Sequence, residues 1–334
     1  MAKSQRGLSS GQRPTPSQRP GAQARRPGSG PPRGGRRPPP GRQGWRPGGG
    51  LVALVSAAVV IIVVGIIVGV SFTGGGGSAK GSGLGMQPAS ADVVHATTNV
   101  PRSVLSKVGL GTTSTIASPE RIKGPPPLLM SSGKPELFYF GANYCPYCAT
   151  ERWPMVVALS RFGTFSGLKQ THSSTKAGEP FPGTQTFSFY GSTYTSRYLS
   201  FVPVELTTNQ PYKGYYKPLQ TPTKAELALV AKYDVAPYVA NATSGQDPIP
   251  FLDFANRYLL SGPSYSPQVL QGLSAGTIAG SLSLPSTPTA QGIGASANWM
   301  TAAICQLTHD QPGAVCSGSV IKKAEAALAK ESPK

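Results

Sequence analysis

Leu137-Phe138-Tyr139-Phe140-Gly141-Ala142-Asn143-Tyr144-Cys145-Pro146-Tyr147-Cys148 is the stretch on which the reading of this chain turns. An aromatic, apolar run stops at a turn, and two cysteines follow with two residues between them. Ala149, Thr150, Glu151, Arg152 and Trp153 continue as helical sequence. The run reads as a buried strand. A strand that ends on Cys-x-x-Cys and feeds a helix has the pattern of a reactive dithiol.

The spacing has a chemical reason. At a helix N-terminus, Cys145 faces unpaired backbone N–H groups and the positive end of the helix dipole. Both favour thiolate over thiol, so its pKa is expected below the free value of about 8.5. Cys148, one turn on, is expected beneath it, near enough to close a disulfide and shielded from solvent. Cys145 would attack a substrate disulfide and Cys148 would resolve the mixed disulfide. Pro146 suits the first helical position, where a missing N–H costs nothing. Half of a zinc site and an inert structural disulfide are the plainer readings. Zinc requires a second ligand pair, and none at suitable spacing is visible, so the redox reading leads.

The chain has 334 residues and a net charge of +18. Residues 1–50 are almost all Gly, Pro, Arg, Gln and Ser, with 11 Lys or Arg and no acid. The high pI is therefore mostly a property of this tail and is weak evidence for nucleic-acid binding. So polar a stretch cannot bury enough apolar surface to offset its conformational entropy, and disorder is expected. From Leu51 to Val70 runs an uncharged apolar stretch, broken only by Ser56, Gly65 and Gly69. As helix it would span about 30 Å, enough to cross a bilayer. A cleaved signal peptide would have a shorter apolar core and a small-x-small site after it. Residues 51–72 thus read as an uncleaved signal-anchor, and residues 73–90 as a Gly/Ser-rich linker. The basic flank is expected to keep the tail cytoplasmic, leaving residues 91–331 outside, anchored by a single span of the plasma membrane. All four cysteines, Cys145, Cys148, Cys305 and Cys316, fall in that outer part, where disulfides persist.

Within it, Val100–Val108 reads as a short helix started by Pro101, and Leu128–Met130 as an edge strand or hairpin before the central strand. The helix after Cys148 is expected to reach about Phe162. Phe165–Ser173 reads as a strand, 174–186 as loop, and Tyr198–Leu206 as a strand whose Pro203 implies an edge or bulge. Thr223 caps a helix to about Tyr233. Ile249-Pro250-Phe251-Leu252-Asp253-Phe254 reads as a strand entered by Ile-Pro, with a turn at Ala255-Asn256-Arg257 and a returning strand. A proline there is either an ordinary strand entry or a cis residue that lays its neighbour's backbone against the cysteines; beside a Cys-x-x-Cys the second is preferred. Residues 266–283 read as a helix with Ser266 as N-cap, followed by helices over Ala295–Leu307 and Val320–Lys330. Cys305 and Cys316, across a Gly-Pro-containing turn, are expected to form a structural disulfide pinning the last two helices. His309 between them completes no zinc pattern. His95 and His172 receive no role, and the acceptor motif Asn241-Ala-Thr243 is read as chance.

On these residues the chain resembles the thioredoxin superfamily. Residues 138–148 look like the strand, aromatic and Cys-x-x-Cys of that family; Cys-Pro-Tyr-Cys is similar to the glutaredoxin form, and Ile249-Pro250 to the cis-proline strand. The outer part also resembles an uncharacterised prokaryotic, membrane-anchored thioredoxin-like family, in which Cys-Pro-Tyr-Cys-Ala-x-Glu-Arg-Trp, Ser-Phe-Tyr-Gly and Ala-Ile-Cys recur, here at 145–153, 188–191 and 303–305. The resemblance implies an α/β fold: a thioredoxin-like mixed sheet flanked by helices (core about 128–262), an insertion between the Cys-x-x-Cys helix and the cis-proline strand (about 174–235), and a helical extension (about 263–331). It implies Cys145 and Cys148 as catalytic residues, with Ile249, Pro250, Tyr144, Pro146 and Tyr147 contacting substrate. One departure stands out. The family carries a buried acid six residues before the first cysteine; here that position is Tyr139.

The leading expectation is a membrane-tethered thiol–disulfide oxidoreductase acting on exported proteins with thiols or disulfides, recycled by a membrane redox partner. The alternative is a non-catalytic envelope-binding module on the same scaffold. No metal, cofactor or nucleic acid is expected. A role for the tail on anionic lipid or RNA ranks below its service as topology determinant and linker.

Overall fold

The computed structural model describes residues 84–112, 114–239 and 249–330. The basic tail, the apolar run at 51–72, most of the linker and the motif at Asn241 lie outside the described residues. Among those described, no helix is long and apolar enough to cross a membrane. In chain order the first elements are β1 (Gln87–Pro88), α1 (Ala91–Thr98), α2 (Arg102–Val108), β2 (Glu120–Arg121), β3 (Met130–Ser131), β4 (Lys134–Gly141) and α3 (Pro146–Leu159). Seven short strands follow: β5 (Gly163–Ser166), β6 (Lys169–His172), β7 (Gln185–Ser188), β8 (Thr193–Ser196), β9 (Ser200–Glu205), β10 (Thr207–Tyr212) and β11 (Tyr215–Pro218). The chain ends with α4 (Lys224–Tyr233), the hairpin β12 (Phe251–Phe254) and β13 (Tyr258–Ser261), α5 (Ala275–Ser281), α6 (Pro288–Leu307), α7 (Gly313–Cys316) and α8 (Ser319–Lys330).

The fold is mixed α/β, built on β4. It pairs in parallel with β9, Glu136 against Ser200 through Gly141 against Glu205, and antiparallel with β12, Phe140 against Phe251 through Leu137 against Phe254. The sheet continues through β13 to β2, and β3 folds back on the start of β4. Side chains alternate across a strand, so Leu137 and Tyr139 enter one core with Trp153, Val156 and Ile304. Phe138 and Phe140 enter a second core with Val204, Val230, Tyr233 and Phe251. Both faces are covered, which is why β4 reads as a continuous apolar run. Every residue of α3 except the half-buried Tyr147 is buried, and the helix packs against α6 and β7. Thr223 and Glu226 exchange both hydrogen bonds of a capping box at the start of α4, satisfying two otherwise orphaned donors.

Several elements differ from the sequence expectation, each for a local reason. The strand expected at Phe165–Ser173 is two strands, because Gly167 turns the chain at φ +71°; β5 then pairs with β8, and β6 with β1 and β7. The helix expected over 266–283 is a single 3₁₀ turn at Pro267–Leu270 followed by α5. Gly272 at φ +73° ends the first turn, and the Ser274 hydroxyl accepts the Thr277 N–H to begin again. The helix expected from Ala295 starts at Pro288, since Thr287 accepts the Ala290 N–H and Pro288 takes the first position. α1, capped by Ser90, lies in a stretch too polar to show a period. The folded part begins before residue 91: Met86 is buried and β1 pairs with β6.

Cys305 and Cys316 form a disulfide with Cα atoms 5.7 Å apart. It joins α6 to the short α7 rather than to the last helix, α8. Both cysteines are fully buried.

Candidate active site at the Cys145–Cys148 pair

β4 delivers the chain to the site, and backbone hydrogen bonds hold its end. The Leu206 N–H donates to the Gly141 carbonyl at 2.8 Å, and the Asn143 N–H to the Thr207 carbonyl at 2.9 Å. Cys145 is then the N-cap of α3, with extended backbone at φ −74°, ψ 123°, and Pro146 takes the first helical position. The Cys148 N–H donates to Cys145 Sγ at 3.2 Å. On its other side, the Cys145 thiol donates to the Ile249 carbonyl at 3.5 Å. The Ile249–Pro250 bond is cis. Helix start and Ile-Pro segment thus meet on one sulfur. Both cysteines carry free thiols, Cys145 at 4 % exposure and Cys148 at 0 %.

The two thiols are driven apart in acidity. Burial pushes Cys145 up, but hydrogen bonds from the Cys148 thiol and N–H, the Arg152 charge and the Tyr147 N–H outweigh it and leave its pKa below the ordinary thiol value. Cys148 is pushed well above it, first by burial, then by its hydrogen bond to Cys145 and the charge there. A nucleophile and a protonated reserve thiol are the chemical content of that difference.

The other sequence candidates surround the pair. Tyr144 is half-buried, its ring stacked on Tyr216 at 4.3 Å, and its hydroxyl accepts from the Tyr215 hydroxyl at 2.9 Å. Tyr147 meets the ring of Phe181 edge-on at 6.3 Å. The Ser174 N–H donates to the Tyr144 carbonyl at 2.7 Å. Loop 173–184 and the β10–β11 hairpin therefore frame the cysteines with aromatic rings, and Tyr212 and Tyr215 remain exposed.

Sequence reasoning assigned no role to a buried polar cluster on the inner side of the pair. Arg152, four residues after Cys148 and so on the same helical face, makes a two-point ion pair with Glu205 at the end of β9. Its distances are 2.9 Å and 2.6 Å, and both side chains are fully buried. The guanidinium carbon lies 5.7 Å from the centre of the Tyr139 ring. The signal was present in the sequence: an arginine amid apolar helix positions, and an acid closing an apolar strand. Only tertiary pairing identifies them as partners. On another face of α3, Glu151 accepts the N–H and hydroxyl of Ser264, both at 2.7 Å. Among the described residues, no group of three or more His, Cys, Asp or Glu side chains is arranged to hold a metal.

No curated protein and no solved structure matches the chain. A family model described as a domain of unknown function, DUF929, matches residues 123–306, which take in β4, the cysteine pair, the Ile-Pro segment and most of α6. That span is more than half of the sequence, and the chain belongs to the DUF929 family.

Proposed function

We propose that the chain is a thiol–disulfide oxidoreductase with a thioredoxin-like core, tethered through the apolar run at 51–72 and acting outside the membrane on exported proteins. One observation carries the reading: Cys145 Sγ lies between the Cys148 N–H at 3.2 Å and the Ile249 carbonyl at 3.5 Å. A sulfur so held is activated by its donors and lies beside the backbone that leads into β12, against which a partner chain can pair. Cys145 attacks a substrate disulfide, forming a Cys145–substrate bond as the first substrate thiolate leaves. Cys148 then attacks Cys145; the intramolecular disulfide forms, the second substrate sulfur departs, and the Cys148 proton passes to it or to solvent. Run in reverse, the same steps oxidise a substrate dithiol.

The non-catalytic module is favoured by one fact, the 4 % exposure of Cys145. Both readings are tested on the reduced full-length chain mixed with dipyridyl disulfide. Oxidoreductase chemistry predicts rapid release of two pyridinethiols, none after Cys145→Ser, and a trapped mixed disulfide after Cys148→Ser. No release from the unmodified chain would leave the binding module in possession.

A further inference from the structure

The buried cluster around Tyr139 holds two hydrogen-bond donors that the fold leaves unused. Among the described residues, neither Tyr139 Oη nor Arg152 Nη1 has a hydrogen-bond partner, and both side chains are fully buried. A buried donor without an acceptor costs about 1–3 kcal/mol, so an arrangement that keeps two together calls for an explanation. Fold stability supplies none, since phenylalanine fits the place of Tyr139 against Phe189, whose ring centre is 5.4 Å away.

Cys148 supplies one. A Cβ added at Gly141 would lie 2.2 Å from Tyr139 Oη and 3.1 Å from Cys148 Sγ, so hydroxyl and sulfur flank the same point above the glycine. Arg152 sits one helical turn beyond Cys148, its Nε and Nη2 engaged by Glu205 and its Nη1 left over. The charged and titratable groups around Cys148 are then Cys145 at the N-cap of α3, Arg152 on α3, Tyr139 on β4, Tyr144 in the turn before α3, and Glu205 behind Arg152 on β9. While Cys148 is a thiol, the two donors have little to bind. A thiolate would give them an acceptor.

We propose that Tyr139 and Arg152 form an anion pocket for the Cys148 thiolate in the resolving step. The inference rests on the oxidoreductase reading. In the step, Cys148 gives up its proton to the departing substrate sulfur or to solvent and its electron pair forms the bond to Cys145, while the Cys145–substrate bond breaks with its pair on the substrate. Tyr139 keeps its own proton throughout. Burial, only partly offset by the Arg152 charge, holds the phenol well above its usual pKa, so it remains a donor. Tyr139 acts on the second attack and not on the first, because Cys145 draws its donors from the α3 N-terminus.

The test uses the full-length reduced chain and dipyridyl disulfide, following release of the first and second pyridinethiol separately. Tyr139→Phe should slow the second release about tenfold or more, the kinetic equivalent of one lost hydrogen bond to a charged group, and leave the first within about twofold. An unchanged second release, or an equal fall in both, overturns the proposal. Absence of any release from the unmodified chain removes the oxidoreductase reading itself, a different outcome. A second measurement needs no turnover: in a Cys145→Ser chain, the pH midpoint for iodoacetamide alkylation of Cys148 should rise when Tyr139→Phe is added. A midpoint that stays put overturns the proposal as well.

Discussion

Arg152 and Glu205 face each other across 53 residues of sequence and form a fully buried, two-point ion pair. Glu205 also accepts the Phe189 N–H at 3.1 Å, so its carboxylate ties the Cys-x-x-Cys helix both to β9 and to the segment just after β7. Removing one member of such a pair leaves a buried charge without compensation. Glu205→Ala is expected to cost about 3–5 kcal/mol in urea unfolding of the full chain. The double change Arg152→Met with Glu205→Leu should cost clearly less, because both desolvated charges go together.

Gly141 closes β4 with no room for a side chain. A methyl there would meet the Tyr139 hydroxyl at 2.2 Å and its ring carbon at 2.6 Å. Its backbone angle is one that any residue adopts, so space alone is limiting. Gly141→Ala is expected to lower stability by about 1–3 kcal/mol, the usual cost of overpacking a dense core. Thermal unfolding of the two chains side by side measures it.

Glu151 carries a pH dependence. Burial, partly offset by hydrogen bonds from Ser264, raises its pKa from 4.5 to about 7. A raised acid holds its proton in the folded state where the unfolded chain has released it. Its contribution is therefore complete below about 4.5 and lost as pH climbs through 7. The expected fall is about 3 kcal/mol, and Asp253, also raised to about 7 chiefly by burial, adds a fall of the same sign. Glu151→Gln keeps an oxygen for Ser264 and should flatten the profile, as measured by denaturant midpoints from pH 4 to pH 8.

The Cys305–Cys316 bridge closes a short loop, with a sequence separation of 11. Replacing both cysteines by alanine is expected to cost roughly 2–3 kcal/mol, from restored freedom in the unfolded chain and two emptied core positions. The Cys145–Cys148 exchange rate should change little, which separates the structural pair from the candidate reactive one. Equilibrium unfolding and pyridinethiol release on the same preparation report both.

Where neighbouring residues alone determined an element, it was legible in the sequence. The Cys-x-x-Cys and Pro146 mark the start of α3, Thr223 marks α4, and the turn between β12 and β13 is visible at Ala255-Asn256-Arg257. Glycine turns were harder. Gly167 and Gly272 divide segments whose apolar spacing alone suggested single elements. Least legible were contacts made between distant parts: the Tyr144–Tyr216 stack and the Arg152–Glu205 pair. A charged residue in an apolar run signals a buried partner somewhere, but its identity depends on how the strands are ordered.

The strand order has a consequence for how the molecule comes into being. β4 is flanked by β9 and β12, which arrive well over fifty and over a hundred residues after it. Such long-range pairing is slow to assemble. In a chain emerging from its N-terminal end, both thiols of the Cys-x-x-Cys appear before Glu205 or Pro250 exists to surround them. Throughout that interval they are ordinary flexible cysteines, open to capture by any passing oxidant or by each other. The ordered acidity of the finished pair is thus acquired late, when β12 slides in beside β4.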